Sequence, residues 1–181
     1  QVPVYAMPRM SNFLEQNGPW NQLVELKNIS LQPLSADSTI RLSSAVRVTP
    51  FTVPHRDEFL ETVGYKIEGP SKAALFIPDI DKWEKWNRRI EDYLAQVDYA
   101  FLDGTFFDAA ELNTRDISQI PHPFVSESLE RFAGLSDAEK AKIHFIHFNH
   151  TNALLRLDSP ESAAVIAAGM KVARADLVVE L

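Results

Sequence analysis

Two imidazoles and two carboxylates fall where apolar runs of β-favouring residues stop. His55 follows Phe51-Thr-Val-Pro, Asp79 follows Leu75-Phe-Ile-Pro, Asp103 follows Tyr99-Ala-Phe-Leu, and His147 lies near the end of Ile143-His-Phe-Ile. The ends of buried strands are where α/β sheets display their ligands, so four such ends could converge on one sheet edge. Neutral imidazole nitrogens and carboxylate oxygens together suit Zn, Fe or Mn, and one Asp can bridge two ions with its two oxygens. A bridged pair clamps the attacking and leaving oxygens of a displacement. Each residue alone also has an ordinary reading. His55 in Val-Pro-His-Arg-Asp-Glu fits a polar loop, Asp79 and Asp103 fit turns, and His147 fits a core histidine donating to a carbonyl. His144 and His150 say less; His150, in Asn149-His-Thr-Asn, reads as a loop residue that helps order the site.

The elements that must position these groups are read from periodicity. Gln1–Ala6 has the pattern of a strand already under way, which predicts that the sequence is a piece of a longer chain. Met10–Gln16 predicts a short helix stopped by Gly18-Pro19, and the stretch to Pro54 reads mostly as sheet, with Ile29-Ser-Leu and Ala45-Val-Arg-Val between turn signals. Thr62–Glu68 and Ala73–Ile77 flank a turn at Gly69-Pro-Ser and predict a hairpin with a buried second strand. Trp83, Trp86, Ile90, Tyr93, Leu94 and Val97 predict one face of an amphipathic helix, with Asp81 as N-cap and Glu84 completing an acidic capping box. Asp98–Asp103 is a further buried strand, so strand, helix and strand follow as in a βαβ crossover.

Val125, Leu129 and Phe132 form a second helical stripe ended by Gly134, and Ser136 with Glu139 is a capping box. Ile143–Phe148 is another buried strand. Ser159-Pro160 opens a helix with Gly169 at its C-terminal cap, and Lys171-Val-Ala with Leu177-Val-Val-Glu reads as a closing pair of short strands. The predicted class is α/β with a mixed sheet, in one domain spanning 1–181.

Composition narrows the partners. The 18 Lys+Arg against 25 Asp+Glu give a net charge of −7, which lacks the broad basic field that nucleic acid demands. No apolar run approaches the ~18 residues of a membrane span, so no membrane is expected. With no cysteine, thiol catalysis and Cys-ligated zinc are excluded, while either redox compartment fits.

Taken in order, the motifs resemble those of metallo-β-lactamase-fold metallohydrolases. Val53-Pro-His55 followed by Thr62-Val-Gly-Tyr-Lys-Ile resembles the segment in which a metal-binding His precedes a Gly-Tyr strand. Ala74-Leu-Phe-Ile-Pro-Asp79 resembles the segment carrying the bridging Asp, with Pro78 in place of the usual Gly. Asp103-Gly-Thr-Phe and His122-Pro-Phe-Val-Ser-Glu-Ser resemble motifs of the tRNase Z-like branch, with Asp103 in place of Glu, and Phe145-Ile-His147-Phe-Asn resembles the strand that holds the last metal His. Met7-Pro-Arg-Met with Asn17-Gly-Pro-Trp20, Pro54-His-Arg-Asp-Glu58, Pro78-Asp-Ile-Asp-Lys-Trp83, Leu102-Asp-Gly-Thr-Phe-Phe107 and Ile146-His-Phe-Asn-His-Thr-Asn152 are similar to the pyrroloquinoline-quinone biosynthesis protein B group. His150 departs from that group's usual Asn.

The resemblance implies that His55, Asp79 and His147 hold one or two divalent ions, Zn or else Fe or Mn. It gives Asp103 the place of an acid behind a metal-bound His and His122 that of a residue near the substrate. It implies the second half of an αββα sandwich, a mixed sheet with flanking helices, because the H-x-H-x-D-H motif of the first half is absent from the 181 residues. An apolar sheet face is then expected to await the missing N-terminal half or a homodimer partner, with weak metal binding until it arrives. The implied activity is that of a hydrolase or oxygenase acting on a small molecule. A tRNase Z-like phosphodiesterase and a metal-free binding relative are the alternatives.

Overall fold

Strands rich in β-branched and aromatic residues, punctuated by Pro and Gly, dominate the computed structural model, which describes residues 1–112 and 120–181. β1 (Val2–Ala6) and β2 (Ile29–Pro33) form a separate parallel pair joined through α1 (Pro8–Gln16) and α2 (Asn21–Glu25). The main sheet has 7 strands in chain order: β3 (Ile40–Arg41), β4 (Arg47–Thr52), β5 (Val63–Glu68), β6 (Ala73–Ile77), β7 (Tyr99–Asp103), β8 (Ile143–Ile146) and β9 (Lys171–Val172). Pairing is antiparallel from β3 to β6 and parallel from β6 to β9. Parallel neighbours require crossovers, and these carry α3 (Ile90–Leu94), then α4 (Val125–Arg131) and α5 (Asp137–Lys140), then α6 (Pro160–Ala167). The mixed α/β class expected from the sequence is the one observed. No helix among the described residues is long and apolar enough to cross a membrane.

The core lies on one face of this sheet. Phe51, Leu75, Ile77, Ala100, Leu102, Ile143 and Phe145 meet Trp83, Ile90, Leu94, Val125, Phe132, Leu154 and Val165 from the crossovers. The caps read from sequence are present: Ser136 Oγ accepts from Glu139 N, and Ser159 Oγ accepts from Ser162 N at 3.0 Å with Pro160 opening α6. Gly169 closes α6 at φ +84°, a left-handed value that an L side chain resists.

Two expectations are corrected. The helix expected across Trp83–Val97 is broken into a 3-10 turn (Trp83–Lys85) and α3, although Trp83, Trp86, Ile90, Leu94 and Val97 are all buried as the pattern required. Tertiary hydrogen bonds override the helical path: Trp83 Nε1 donates to Ser128 Oγ at 2.9 Å and Trp86 Nε1 to the Thr52 carbonyl at 3.1 Å. Arg88 is drawn to both Asp37 oxygens at 2.7 Å and to the Tyr93 hydroxyl, and Arg89 is extended at φ −101°, ψ 124°. At the tail, Lys171–Val172 joins the sheet, but Leu177–Glu180 is not a strand. The end of the chain lies instead against the β5–β6 turn, where a side chain on Gly69 would overlap Leu181.

The opposite sheet face carries a row of rings. Tyr65 pairs with Phe76, Phe76 with Phe101, and Phe101 with His144, and Phe76 and Phe101 keep part of their surface in solvent.

Gly64 faces the core, where a Cβ would fall 2.5 Å from the Phe51 ring and 3.0 Å from Ile77. Phe51 is 1% exposed and has little room to retreat. Gly64→Ala is therefore expected to destabilise by about 1–3 kcal/mol, read as a lowered midpoint in thermal or urea unfolding.

Candidate metal centre

Three main-chain hydrogen bonds bring the predicted residues together. Asp81 N donates to the Pro54 carbonyl at 2.7 Å, Lys82 N to Pro121 at 2.6 Å, and Gly104 N to Ile146 at 2.9 Å. Each acceptor immediately precedes a histidine: His55, His122 and His147. The loops after β4, β6, β7 and β8 are thus stitched at the C-terminal edge of the parallel strands. Gly104 is needed there, since a Cβ would come within 2.9 Å of Phe148 and 3.0 Å of the Ile146 carbonyl. Asn152 locks the same turn, donating to the carbonyls of Gly104 at 2.7 Å and Thr105 at 3.1 Å.

Asp79 is central. Its Oδ1 lies 3.2 Å from His55 Nε2 and 3.3 Å from His122 Nδ1. Atoms of His55, Asp79 and His122 lie within 4.8 Å of one another, as do atoms of Asp79, Asp103 and His147, so Asp79 belongs to both groups. Asp79 Oδ1 is buried and without a hydrogen-bond partner among the described residues. An anionic oxygen in that position is costly unless a positive group faces it. His55 Nδ1 is 3.1 Å from Asp81 Oδ1; with the ring proton there, the Nε2 lone pair points toward Asp79. His122 Nδ1, 3.3 Å from Asp79 Oδ1, is closer to Asp103 Oδ2 at 2.9 Å and gives its proton there, so Asp79 Oδ1 and His55 Nε2 then face each other as lone-pair atoms, an arrangement that a divalent cation relieves. The donor set of imidazole and carboxylate fits Zn, Fe or Mn.

Behind these groups stands Asp103, with 0% exposure. It accepts from His122 Nδ1 at 2.9 Å, Ile80 N at 3.1 Å, Thr105 N at 2.8 Å and Thr105 Oγ1 at 2.6 Å. Because the Thr105 hydroxyl gives its single proton to Asp103, it accepts from His147 Nδ1 at 3.0 Å and leaves His147 Nε2 as a lone pair. His147 adopts φ 61°, rare for a side-chain-bearing residue and the kind of strain that clusters at functional sites. Burial alone would lower the pKa of His122. The hydrogen bond to Asp103 and the negative charges of Asp103, Asp79 and Asp81 outweigh burial, and the pKa lies above that of an ordinary histidine.

Asp79 joins His55, 24 positions before it, in one group and His147, 68 positions after it, in the other, and the three follow β4, β6 and β8 at one edge of the sheet. His122, expected near the substrate, stands inside one of the ligand groups. Asp103 reaches His122 directly and His147 through Thr105. Asp81, expected to cap a helix, lies against His55 instead, and Thr105 links Asp103 to His147; only the Pro-Asp-x-Asp and Asp-x-Thr spacings hint at either role. His144 points onto the sheet face and bonds the Lys142 carbonyl at 2.9 Å, while His150 is exposed and belongs to neither group.

Asp103→Asn replaces the acceptor of four hydrogen bonds with a neutral group, and in metal-free protein it is expected to cost about 1–3 kcal/mol near pH 6. His122 has a raised pKa when folded, so the stability from its charged form is present below the unfolded value of about 6.5 and fades as pH rises through the folded value. The gap between parent and variant in urea unfolding should therefore narrow above that range.

Comparison with known proteins shows the family. A model of the beta-lactamase superfamily domain matches residues 1–148. The chain is 27% identical over 198 residues to coenzyme PQQ synthesis protein B of Xanthomonas axonopodis pv. citri (strain 306), and 28% identical over 196 residues to the protein of that name from Methylorubrum populi. In each case 98% of this chain covers 64% of the relative, so it spans less than two thirds of these relatives. Among solved structures it is similar to Zn2+-bound PqqB from Methylobacterium extorquens, with a TM-score of 0.78, 25% identity, and coverage of 99% of this chain and 62% of that one. A diphosphatase of the PhnP family shares the fold at a TM-score of 0.60 and 19% identity, covering 99% and 58%. The family-model match over residues 1–148 places the chain in the β-lactamase superfamily, where it is similar to coenzyme PQQ synthesis protein B.

Proposed function

We propose that the protein is a metal-dependent enzyme of the metallo-β-lactamase type, acting on a small molecule in quinone-cofactor biosynthesis. The observation that carries this reading is the buried Asp79 Oδ1, without a hydrogen-bond partner among the described residues, between His55 Nε2 and His122 Nδ1. His55, Asp79 and His147 would hold the metal, with His122 beside them. A bound divalent metal supplies a water of near-neutral pKa or a site that polarises oxygen. The chain's own residues do the rest. Asp103 accepts from His122 Nδ1 and fixes the ring beside the site, which suits His122 to pass a proton to a departing oxygen. The net charge of −7 disfavours RNA as substrate and supports the small-molecule reading over a tRNase Z-like one.

The reading is tested by elemental analysis of protein purified without chelator. A divalent ion is expected in the parent, below one per chain while donors beyond these residues are absent, and should be lost or strongly reduced in His55→Ala, Asp79→Ala and His147→Ala. Metal-free parent protein with an intact fold would leave only the non-catalytic relative.

The tetrahedral demand of four donors per ion, water included, exceeds what these residues supply to a pair of ions. Further donors would come from an N-terminal segment of the fold or a second copy packed on the ring row of Tyr65, Phe76 and Phe101. Phe101→Arg places a charge in that layer. It is expected to weaken the assembly and its metal retention together, read by light scattering and metal content, whereas a face open to water would tolerate the change.

A further inference from the structure

Asp81 sits where the sequence calls for a helix cap, yet the turn beyond it is a single 3-10 turn with no side-chain cap bond. Its carboxylate is engaged elsewhere: Oδ1 lies 3.1 Å from His55 Nδ1, and Oδ2 lies 3.3 Å from Lys85 Nζ. We infer that Asp81 is a positioning residue that decides which nitrogen of His55 carries the proton, and so keeps the Nε2 lone pair aimed at the cation site beside Asp79. This rests on the metal-centre reading and names the group that prepares one of its ligands.

His55 lies between two aspartates that compete for one proton. With the proton on Nδ1, it bonds Asp81 and leaves the Nε2 lone pair open to a cation. With the proton on Nε2, it would bond Asp79 at 3.2 Å, satisfy the orphaned Oδ1, and close the site to a cation. The framework favours the first state. Asp81 N is bonded to the carbonyl of Pro54, the residue before His55, which fixes the distance between ring and carboxylate. Both side chains are sheltered, at 13% and 17% exposure, so water competes weakly for the bond. A carboxylate behind a ligating imidazole also raises its basicity as a donor. The other two histidines are oriented in the same sense, His147 by Thr105 and His122 by Asp103, but each by a different partner. Removing Asp81 should therefore act on His55 alone.

The test compares Asp81→Ala, Asp81→Asn and Lys85→Met with the parent by two readouts. One is Zn2+ affinity from competition with a chromophoric chelator. The other is the imidazole 15N shifts of His55 in metal-free protein, assigned with His55→Gln and taken at about pH 8, where an ordinary histidine is neutral. Asp81→Ala is expected to weaken Zn2+ by about 10- to 100-fold and to move the His55 proton from Nδ1 to Nε2. Asp81→Asn keeps the shape and a neutral acceptor, and should fall between the two. Lys85→Met removes only the ion pair and should bind like the parent. A His55 proton that stays on Nδ1 in Asp81→Ala, or unchanged Zn2+ affinity beside a shifted proton, overturns the role. Should the parent bind no Zn2+, the metal-centre reading fails, and the 15N comparison still decides whether Asp81 sets the tautomer. If the Ala variant does not fold, the isosteric Asn variant carries the same comparison.

Discussion

An ionised carboxylate with no exposure to water is the constraint around which this structure is organised. Taking Asp103 out of solvent costs several kcal/mol unless its oxygens are fully bonded, and they are: to a histidine, a hydroxyl and two main-chain amides. Each partner belongs to a loop of the candidate site. Ile80 follows Asp79, Thr105 holds His147, and His122 stands beside Asp79. The requirement to satisfy one buried charge therefore fixes the relative positions of three chain segments, and the spacing of the site is a by-product of it.

The sheet supplies the coarse placement that such bonds refine. Because β6, β7 and β8 run parallel, their C-terminal ends lie at one edge, and the residues that follow them are neighbours whatever their separation in sequence. The antiparallel half contributes one end, after β4, which brings His55 in from the other side of β6. Main-chain bonds from Asp81 to Pro54 and from Lys82 to Pro121 close the remaining gaps. A mixed sheet serves this geometry better than an all-antiparallel one, whose successive strand ends alternate between edges.

The two faces of the sheet are treated differently. One is closed by tryptophans, helices and turns. The other presents the ring row from Tyr65 to His144, of which only the histidine is fully buried.

Much of this was legible in the amino-acid order alone. The strand–turn–strand pattern of Thr62–Ile77, the caps at Ser136 and Ser159, and the placement of His55, Asp79 and His147 at strand ends all follow from local chemistry: alternation, side-chain capping, and the tendency of polar residues to end buried strands. The helix expected from Trp83 to Val97 fails for a physical reason. Its apolar spacing correctly marks the residues that are buried, but the bonds of the two indoles to Ser128 and Thr52, 45 and 34 positions away, set the path of the backbone. For the same reason Asp81 reads as a cap and serves His55. The sequence determined which side chains are apolar, which can bind a cation and where strands end, because these depend on each residue and its near neighbours. Tertiary structure alone decided which carboxylate stands behind which histidine, because a buried charge takes whatever donors the folded chain brings within about 3 Å, and those donors come from distant parts of the sequence.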